Sequence, residues 1–247
     1  TVLIGNDELV EGLLISMLSN GHVLVEGVPG VAKTTVANLL ARTSGLSFNR
    51  VQMTPDLLPA DITGTEVYQR QSDEFQLQRG PIFSNLVVVD EINRAMPKTQ
   101  SALLEAMEER QVTIGTETLT LPEPFMIVAT QNPIEMEGVY ELPEAQRDRF
   151  QFRYRMELLD RREEREVIDR FDANPKLGPE DVENVITPDE LLAARAIVED
   201  IHVAGAMKEF LIDVVVATRE SDELTHGAST RATLMLLNGA KARAAIH

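Results

Sequence analysis

The stretch Gly27-Val28-Pro29-Gly30-Val31-Ala32-Lys33-Thr34 constrains this chain more than any other. It sits between an apolar run, His22-Val23-Leu24-Val25, and an amphipathic one, Val36-Ala37-Asn38-Leu39-Leu40-Ala41. A strand that enters a tight glycine-containing turn and leaves through a helix N-terminus aims several backbone N–H groups and the positive end of the helix dipole at one point, which suits a triphosphate. On that reading the turn and Thr35 just beyond it cradle the phosphates, Lys33 reaches the β- and γ-phosphates, and the Thr34 hydroxyl ligates Mg²⁺. The pattern expects glycine before the lysine and this chain has Ala32. Taken alone, the stretch also fits an ordinary strand–turn–helix junction.

A second run bears on the choice. Leu86-Val87-Val88-Val89-Asp90-Glu91 is apolar and β-branched until it ends in two carboxylates. A buried parallel strand delivers its last residues to the carboxyl edge of an α/β sheet, where ligands bind. Asp90 is then placed to hold Mg²⁺, through water, and Glu91 to orient and polarise an attacking water. The bland reading is a solvated strand end. A third strand, Phe125-Met126-Ile127-Val128-Ala129-Thr130, brings Gln131 and Asn132 to the same edge. Asn132 there can sense a γ-phosphate or position water, or simply form a turn before Pro133. Arg231 lies in the first turn of the final helical segment, where a cation opposes the helix dipole. It therefore needs another reason, such as a phosphate. Arg147 and Arg149 can be surface charge.

Around these runs the chain alternates strands and helices until about residue 159, and beyond it reads as helices only, which predicts domains over 1–158 and 159–247. Residues 7–20 predict a helix with Leu9, Leu13, Leu14, Met17 and Leu18 on one face, ended by Gly21. Two hairpins are expected, over 65–80 and 111–120, and Thr187-Pro188-Asp189-Glu190 reads as a capping box. Asp and Glu number 40 against 23 Lys and Arg, a formal charge of −17 with no basic stripe, so a nucleic-acid partner is not expected. No apolar run approaches membrane-spanning length and none starts the chain as a signal would, and the lack of cysteine is compatible with a reducing cytoplasm. The four histidines have no ligand spacing and read as structural or exposed.

Five stretches together strongly resemble the MoxR family of AAA+ ATPases: Glu26-Gly27-Val28-Pro29-Gly30-Val31-Ala32-Lys33-Thr34, Val89-Asp90-Glu91-Ile92-Asn93-Arg94-Ala95, Ala129-Thr130-Gln131-Asn132-Pro133, Glu144-Ala145-Gln146-Arg147-Asp148-Arg149-Phe150 and Gly227-Ala228-Ser229-Thr230-Arg231-Ala232. The family commonly carries alanine where Ala32 stands. The resemblance implies an α/β P-loop core with a parallel sheet and helices on both faces, followed by a smaller helical lid that continues beyond His247. It also implies a ring, usually hexameric, with ATP between neighbours. By the same resemblance Lys33, Thr34, Asp90 and Glu91 match the two Walker motifs, Asn132 the sensor-1 position and Arg231 the sensor-2 position. Arg149 matches the arginine finger that enters the neighbour's site. Asn6 stands where the family usually has Gln, Thr230 where it usually has Pro, and Arg147 where an apolar residue is more usual. The hairpins resemble the helix-2 insert and pre-sensor hairpin of this branch, candidates for touching a protein client. The implied activity is Mg²⁺-dependent ATP hydrolysis coupled to remodelling, maturation or cofactor insertion in clients. The rivals are a nucleotide-gated scaffold with little turnover and a nucleic-acid motor.

Overall fold

The computed structural model describes residues 4–27, 33–70, 73–133, 138–156, 158–175 and 178–247. Five strands form one parallel sheet: β1 (Val23–Glu26), β2 (Phe48–Gln52), β5 (Leu86–Asp90), β8 (Met126–Gln131) and β9 (Phe152–Arg155), in the order β2-β5-β8-β1-β9. The three inner strands are buried along almost their whole length, as an apolar run needs to be when both faces of a parallel sheet are covered. Successive side chains point to opposite faces. Val87 and Val89 join a core with Leu103, Leu104 and Met107 of α4 (Pro97–Glu109), whereas Leu86 and Val88 join one with α1 (Asp7–Leu18) and α2 (Lys33–Thr43).

Helix α1 differs from expectation in two ways. It ends at Leu18, and the left-handed residue that reverses the chain is Asn20, at φ 57°, and not Gly21. Leu14 is also half exposed, while Ile15 is buried against Val198 and Ala242. The helix is sandwiched, with one face on the sheet and another on the C-terminal helices, so its buried surface is wider than the single stripe the leucines marked. Its C-terminus is held by two arginines, the buried Arg195 and the half-buried Arg110. Arg195 Nε donates to Met17 O at 2.7 Å and its Nη1 to Asn20 Oδ1 at 3.1 Å, and Arg110 Nη2 donates to Asn20 O at 2.7 Å. Burial pushes the Arg110 guanidinium down to about 10, still charged at neutral pH.

His22, just before β1, is fully enclosed at the same end of the sheet. Its Nδ1 accepts from Ile127 N at 2.9 Å and its Nε2 lies 3.2 Å from Met107 O, so the ring is the neutral tautomer protonated on Nε2. Burial, chiefly, and the Arg110 charge push its pKa down to about 3.

The two expected hairpins form, β3 (Gly64–Gln69) with β4 (Glu74–Arg79) and β6 (Gln111–Ile114) with β7 (Glu117–Thr120). The first projects into solvent, with Tyr68 and Phe75 paired across the strands at 5.3 Å between ring centroids. Its base requires glycine: a Cβ on Gly64, at φ 106°, would come within 2.3 Å of Gln78 O, and one on Gly80 within 2.2 Å of Ile62 O. The short helices α3 (Pro59–Thr63) and α5 (Glu144–Arg147) lie before β3 and β9. After β9 the described residues form only helices: α6 (Arg161–Ala173), α7 (Pro188–Glu199), α8 (Gly205–Glu220) and α9 (Thr230–Ile246), with short 3₁₀ turns. The Thr187 capping box is present, with Glu190 N donating to Thr187 Oγ1 and Thr187 N to Glu190 Oε2. Among the described residues no helix is long and apolar enough to cross a membrane.

Candidate active site

Parallel strands bring their last residues to one edge, and here that edge collects the polar residues singled out in the sequence. β1 ends at Glu26 and Gly27 N donates to Gln131 O of β8 at 3.2 Å, so the chain leaves β1 beside the end of β8. Val28, Pro29, Gly30, Val31 and Ala32 lie outside the described residues. Lys33, Thr34 and Thr35 form the first turn of α2. Thr34 Oγ1 donates to Asp90 Oδ2 at 3.3 Å, which ties the helix start to the end of β5.

Asp90 is 6% exposed, and among the described residues three side chains reach it. Besides Thr34, Thr130 Oγ1 donates to Oδ1 at 3.1 Å and Arg50 Nε to Oδ2 at 2.5 Å. Glu91 follows in the left-handed region, at φ 56° and ψ 51°. For a residue with a Cβ this costs on the order of 1 kcal/mol or more. The kink ends the strand at Asp90 and is held by Thr130, whose hydroxyl accepts from Glu91 N at 3.0 Å while donating to Asp90. The Glu91 carboxylate is thereby aimed over β2, where Gln52 Nε2 donates to Oε2 at 2.6 Å and Arg94 Nε lies 3.2 Å from the same oxygen. Asn132, one residue past β8, is buried at the same edge. Glu26 is buried too, paired at 2.8 Å with Arg153, and this bond raises the Arg153 pKa.

A hydroxyl and a carboxylate converging at a helix N-terminus form a hard-oxygen donor set, the kind that suits Mg²⁺. Among the described residues no three His, Asp or Glu side chains group into a closed metal site. A cation between Thr34 and Asp90 has to complete its shell with phosphate oxygens and water, which is how Mg²⁺ is usually held. The residues fit.

The arginines lie elsewhere. β9 is parallel to β1, with Phe152 beside Val23 and Arg155 beside Glu26, so Arg149, three residues before β9, is at the amino edge of the sheet. Arg149 Nε donates to Glu108 Oε2 at 2.9 Å, and Arg231 Nη2 bonds the other oxygen of the same carboxylate. Arg231 Nη1 is 3.8 Å from Asp148 Oδ2, and Ser229, the N-cap of α9, donates to both Asp148 oxygens. Arg147 is engaged differently, 2.6 Å from Glu144 on its own short helix.

Comparison with known proteins places this geometry. The family model for "ATPase family associated with various cellular activities (AAA)" matches residues 22–152, the segment that carries four strands of the sheet and reaches the first residue of β9. The whole chain is 44% identical to Chaperone MoxR1 of Mycobacterium tuberculosis, spanning 67% of that protein. It is 42% identical to YeaC of Bacillus subtilis, again over the whole chain and 76% of the relative. A crystal structure from Cytophaga hutchinsonii superposes with a TM-score of 0.89 at 42% identity, covering 98% of this chain and 75% of that one. The chain belongs to the MoxR family of AAA+ ATPases. The expected architecture, an α/β P-loop core with a parallel sheet and a helical C-terminal region, is the one observed.

Within this MoxR-family chain the structure gathers Thr34, Asp90, Glu91 and Asn132 at the carboxyl edge and does not bring Arg149 or Arg231 to them. The two edges are separated by the length of the strands, roughly 13 Å for a five-residue strand. Sequence reading passed over Arg50, Gln52, Thr130 and Glu108 as site residues. Arg50 and Gln52 share a face of β2 by period two, and Gln52 lies beside Asp90 in the sheet register, a relation visible only once β2 is known to pair with β5. Thr130 stood in a quoted motif, but its role as the hydroxyl joining Asp90 to Glu91 depends on β8 lying next to β5.

Proposed function

We propose that this chain hydrolyses ATP with Mg²⁺ in a site completed by a neighbouring subunit of a ring, a hexamer as in its branch, and uses the cycle to work on a protein client. One observation carries the reading: the phosphate-side and water-side residues converge on the carboxyl edge while both candidate arginines lie at the opposite edge of the same subunit. A subunit so built holds a site lacking its arginines on one side and arginines lacking a site on the other. Repetition around a ring joins the two.

In this reading Lys33 binds the β- and γ-phosphates, and Thr34 and Asp90 hold the cation. Mg²⁺, when bound, offsets the negative charge of the phosphate oxygens. Glu91 orients the attacking water. Its left-handed backbone, the hydrogen bond it accepts from Gln52 and its ion pair with Arg94 fix where the carboxylate points. Asn132 lies within the buried edge and responds to the γ-phosphate. Arg149, and Arg231 with it, stabilise the charge that develops in the neighbour's transition state. The core ends at residue 158 and the helical lid begins at 159. The relative named as a chaperone supports a client-handling role, and the exposed Tyr68–Phe75 hairpin is the surface proposed to touch the client. The compartment consistent with this role is the cytoplasm.

Steady-state hydrolysis per subunit, followed against protein concentration with Mg²⁺, tests the reading. Specific activity is expected to rise cooperatively with concentration. ATP binding with turnover flat near zero over the whole range overturns it in favour of a nucleotide-gated scaffold.

A further inference from the structure

We propose that Glu108 is a positioning residue shared by Arg149 and Arg231: it aligns the two guanidiniums as one unit until a neighbouring subunit's triphosphate replaces it as their counter-ion. The inference rests on the ring reading above and adds to it a residue with no place in either nucleotide motif.

Three observations carry it. First, each oxygen of the Glu108 carboxylate takes one arginine, Oε2 that of the core residue Arg149 and Oε1 that of Arg231 on α9. Two cations this close repel unless an anion stands between them. Second, both partners from the helices are placed against their dipoles. Glu108 lies in the last turn of α4, which has no basic residue, and Arg231 in the first turn of α9, which has no acidic one. A carboxylate at a helix C-terminus and a guanidinium at a helix N-terminus are each unfavourable to the helix dipole. Here the two meet each other. Third, the remaining bonds fix direction. Arg149 Nη1 donates to Ala145 O at 3.0 Å, and Asp148, held by Ser229 at 2.7 Å and 2.8 Å, approaches Arg231 from the other side.

The network does little for stability. The Glu108, Arg149 and Arg231 side chains remain 38%, 27% and 36% exposed, and exposed ion pairs contribute little. Such a pair gives up its arginines readily to a polyphosphate of higher charge while having set their orientation beforehand. Because Arg149 precedes β9 in the core and Arg231 opens α9, the same carboxylate makes the two regions respond together to the neighbour's nucleotide.

The test uses the full chain with Glu108→Ala and Glu108→Gln. Misalignment of the pair is expected to lower kcat roughly tenfold to a hundredfold for Glu108→Ala. The KM for ATP should stay within about twofold of wild type, since binding common to ground and transition states is untouched. Glu108→Gln, which keeps the size and one acceptor but not the charge, should fall between. Mixing supplies the readout that a structural role does not move. Glu108→Ala subunits retain an intact carboxyl-edge site, and Glu91→Gln subunits retain aligned arginines, so a mixture should exceed the summed activity of the two alone. A wild-type kcat for Glu108→Ala, or a loss that mixing does not relieve, overturns the proposal while leaving the ring reading in place. Absence of concentration-dependent turnover in the wild type removes the ring reading and this proposal with it.

Discussion

The carboxyl and amino edges of this sheet are built from opposite materials. At the carboxyl edge Asp90, Asn132 and Glu26 are buried, and a strained backbone and one threonine hydroxyl hold Asp90 and Glu91 in fixed relation. At the amino edge Glu108, Arg149 and Arg231 are partly exposed and held by ion pairs, with one bond from Arg149 to a backbone carbonyl. Buried polar groups must be satisfied within the subunit, because leaving one unpaired costs about 1–3 kcal/mol. Exposed charges can wait for a partner at small cost. On the ring reading proposed above, the difference teaches that one edge is finished by folding and the other is left to be finished by assembly.

The largest expected effect breaks the carboxyl edge alone. Glu91→Gln should keep nucleotide affinity and lose turnover by about a thousandfold or more, since removing a group that acts only in the transition state lowers kcat. Equilibrium binding of a fluorescent nucleotide beside phosphate release checks it, and normal hydrolysis by this variant would sink the assignment. Breaking the amino edge comes next. Arg149→Ala should assemble normally and lose turnover by roughly a hundredfold to a thousandfold. Arg147→Ala, whose side chain is paired with Glu144 on its own helix, should stay close to wild type. Sizing chromatography with the rate assay separates the two variants.

The amino edge also contains one buried group of the other kind, His22. Its folded pKa is near 3 against an ordinary value of 6.5, so between those values the unfolded chain binds the proton and the folded chain does not. The neutral ring's contribution is fully present above about pH 6.5 and declines as pH falls, by about 2 kcal/mol at pH 5. Denaturant titrations at pH 7 and pH 5 should show that part of the loss in wild type and not in His22→Asn. The smallest effect sharpens the carboxyl edge. Arg50 donates to Asp90 at 2.5 Å from a half-exposed side chain, so it competes with a cation for that carboxylate. Arg50→Ala should lower the Mg²⁺ concentration for half-maximal activity by about threefold, a surface-screened charge effect of under 1 kcal/mol.

Much of the carboxyl edge was legible before any coordinates. Apolar runs ending in Asp90 and Asn132, and a glycine turn ending in Thr34, are local patterns, and a parallel sheet collects strand ends without further instruction. Both hairpins and the Thr187 capping box were legible for the same reason, since turn and cap chemistry lies within a few residues. Asn20 was passed over as the reversing residue because glycine is the commoner left-handed terminator, and an asparagine side chain that also accepts from Arg195 tips the balance only in the folded molecule.

What the sequence by itself determined is therefore the chemistry at the end of each strand, because period two along a strand and the residues just after it are properties of neighbours in the chain. What only the tertiary structure decided is which ends meet. Arg50 reaches Asp90 across 40 positions, and Glu108 joins Arg149 at 41 and Arg231 at 123. Those meetings depend on strand order and on where α9 docks, which burial of the whole apolar surface sets and no local pattern encodes.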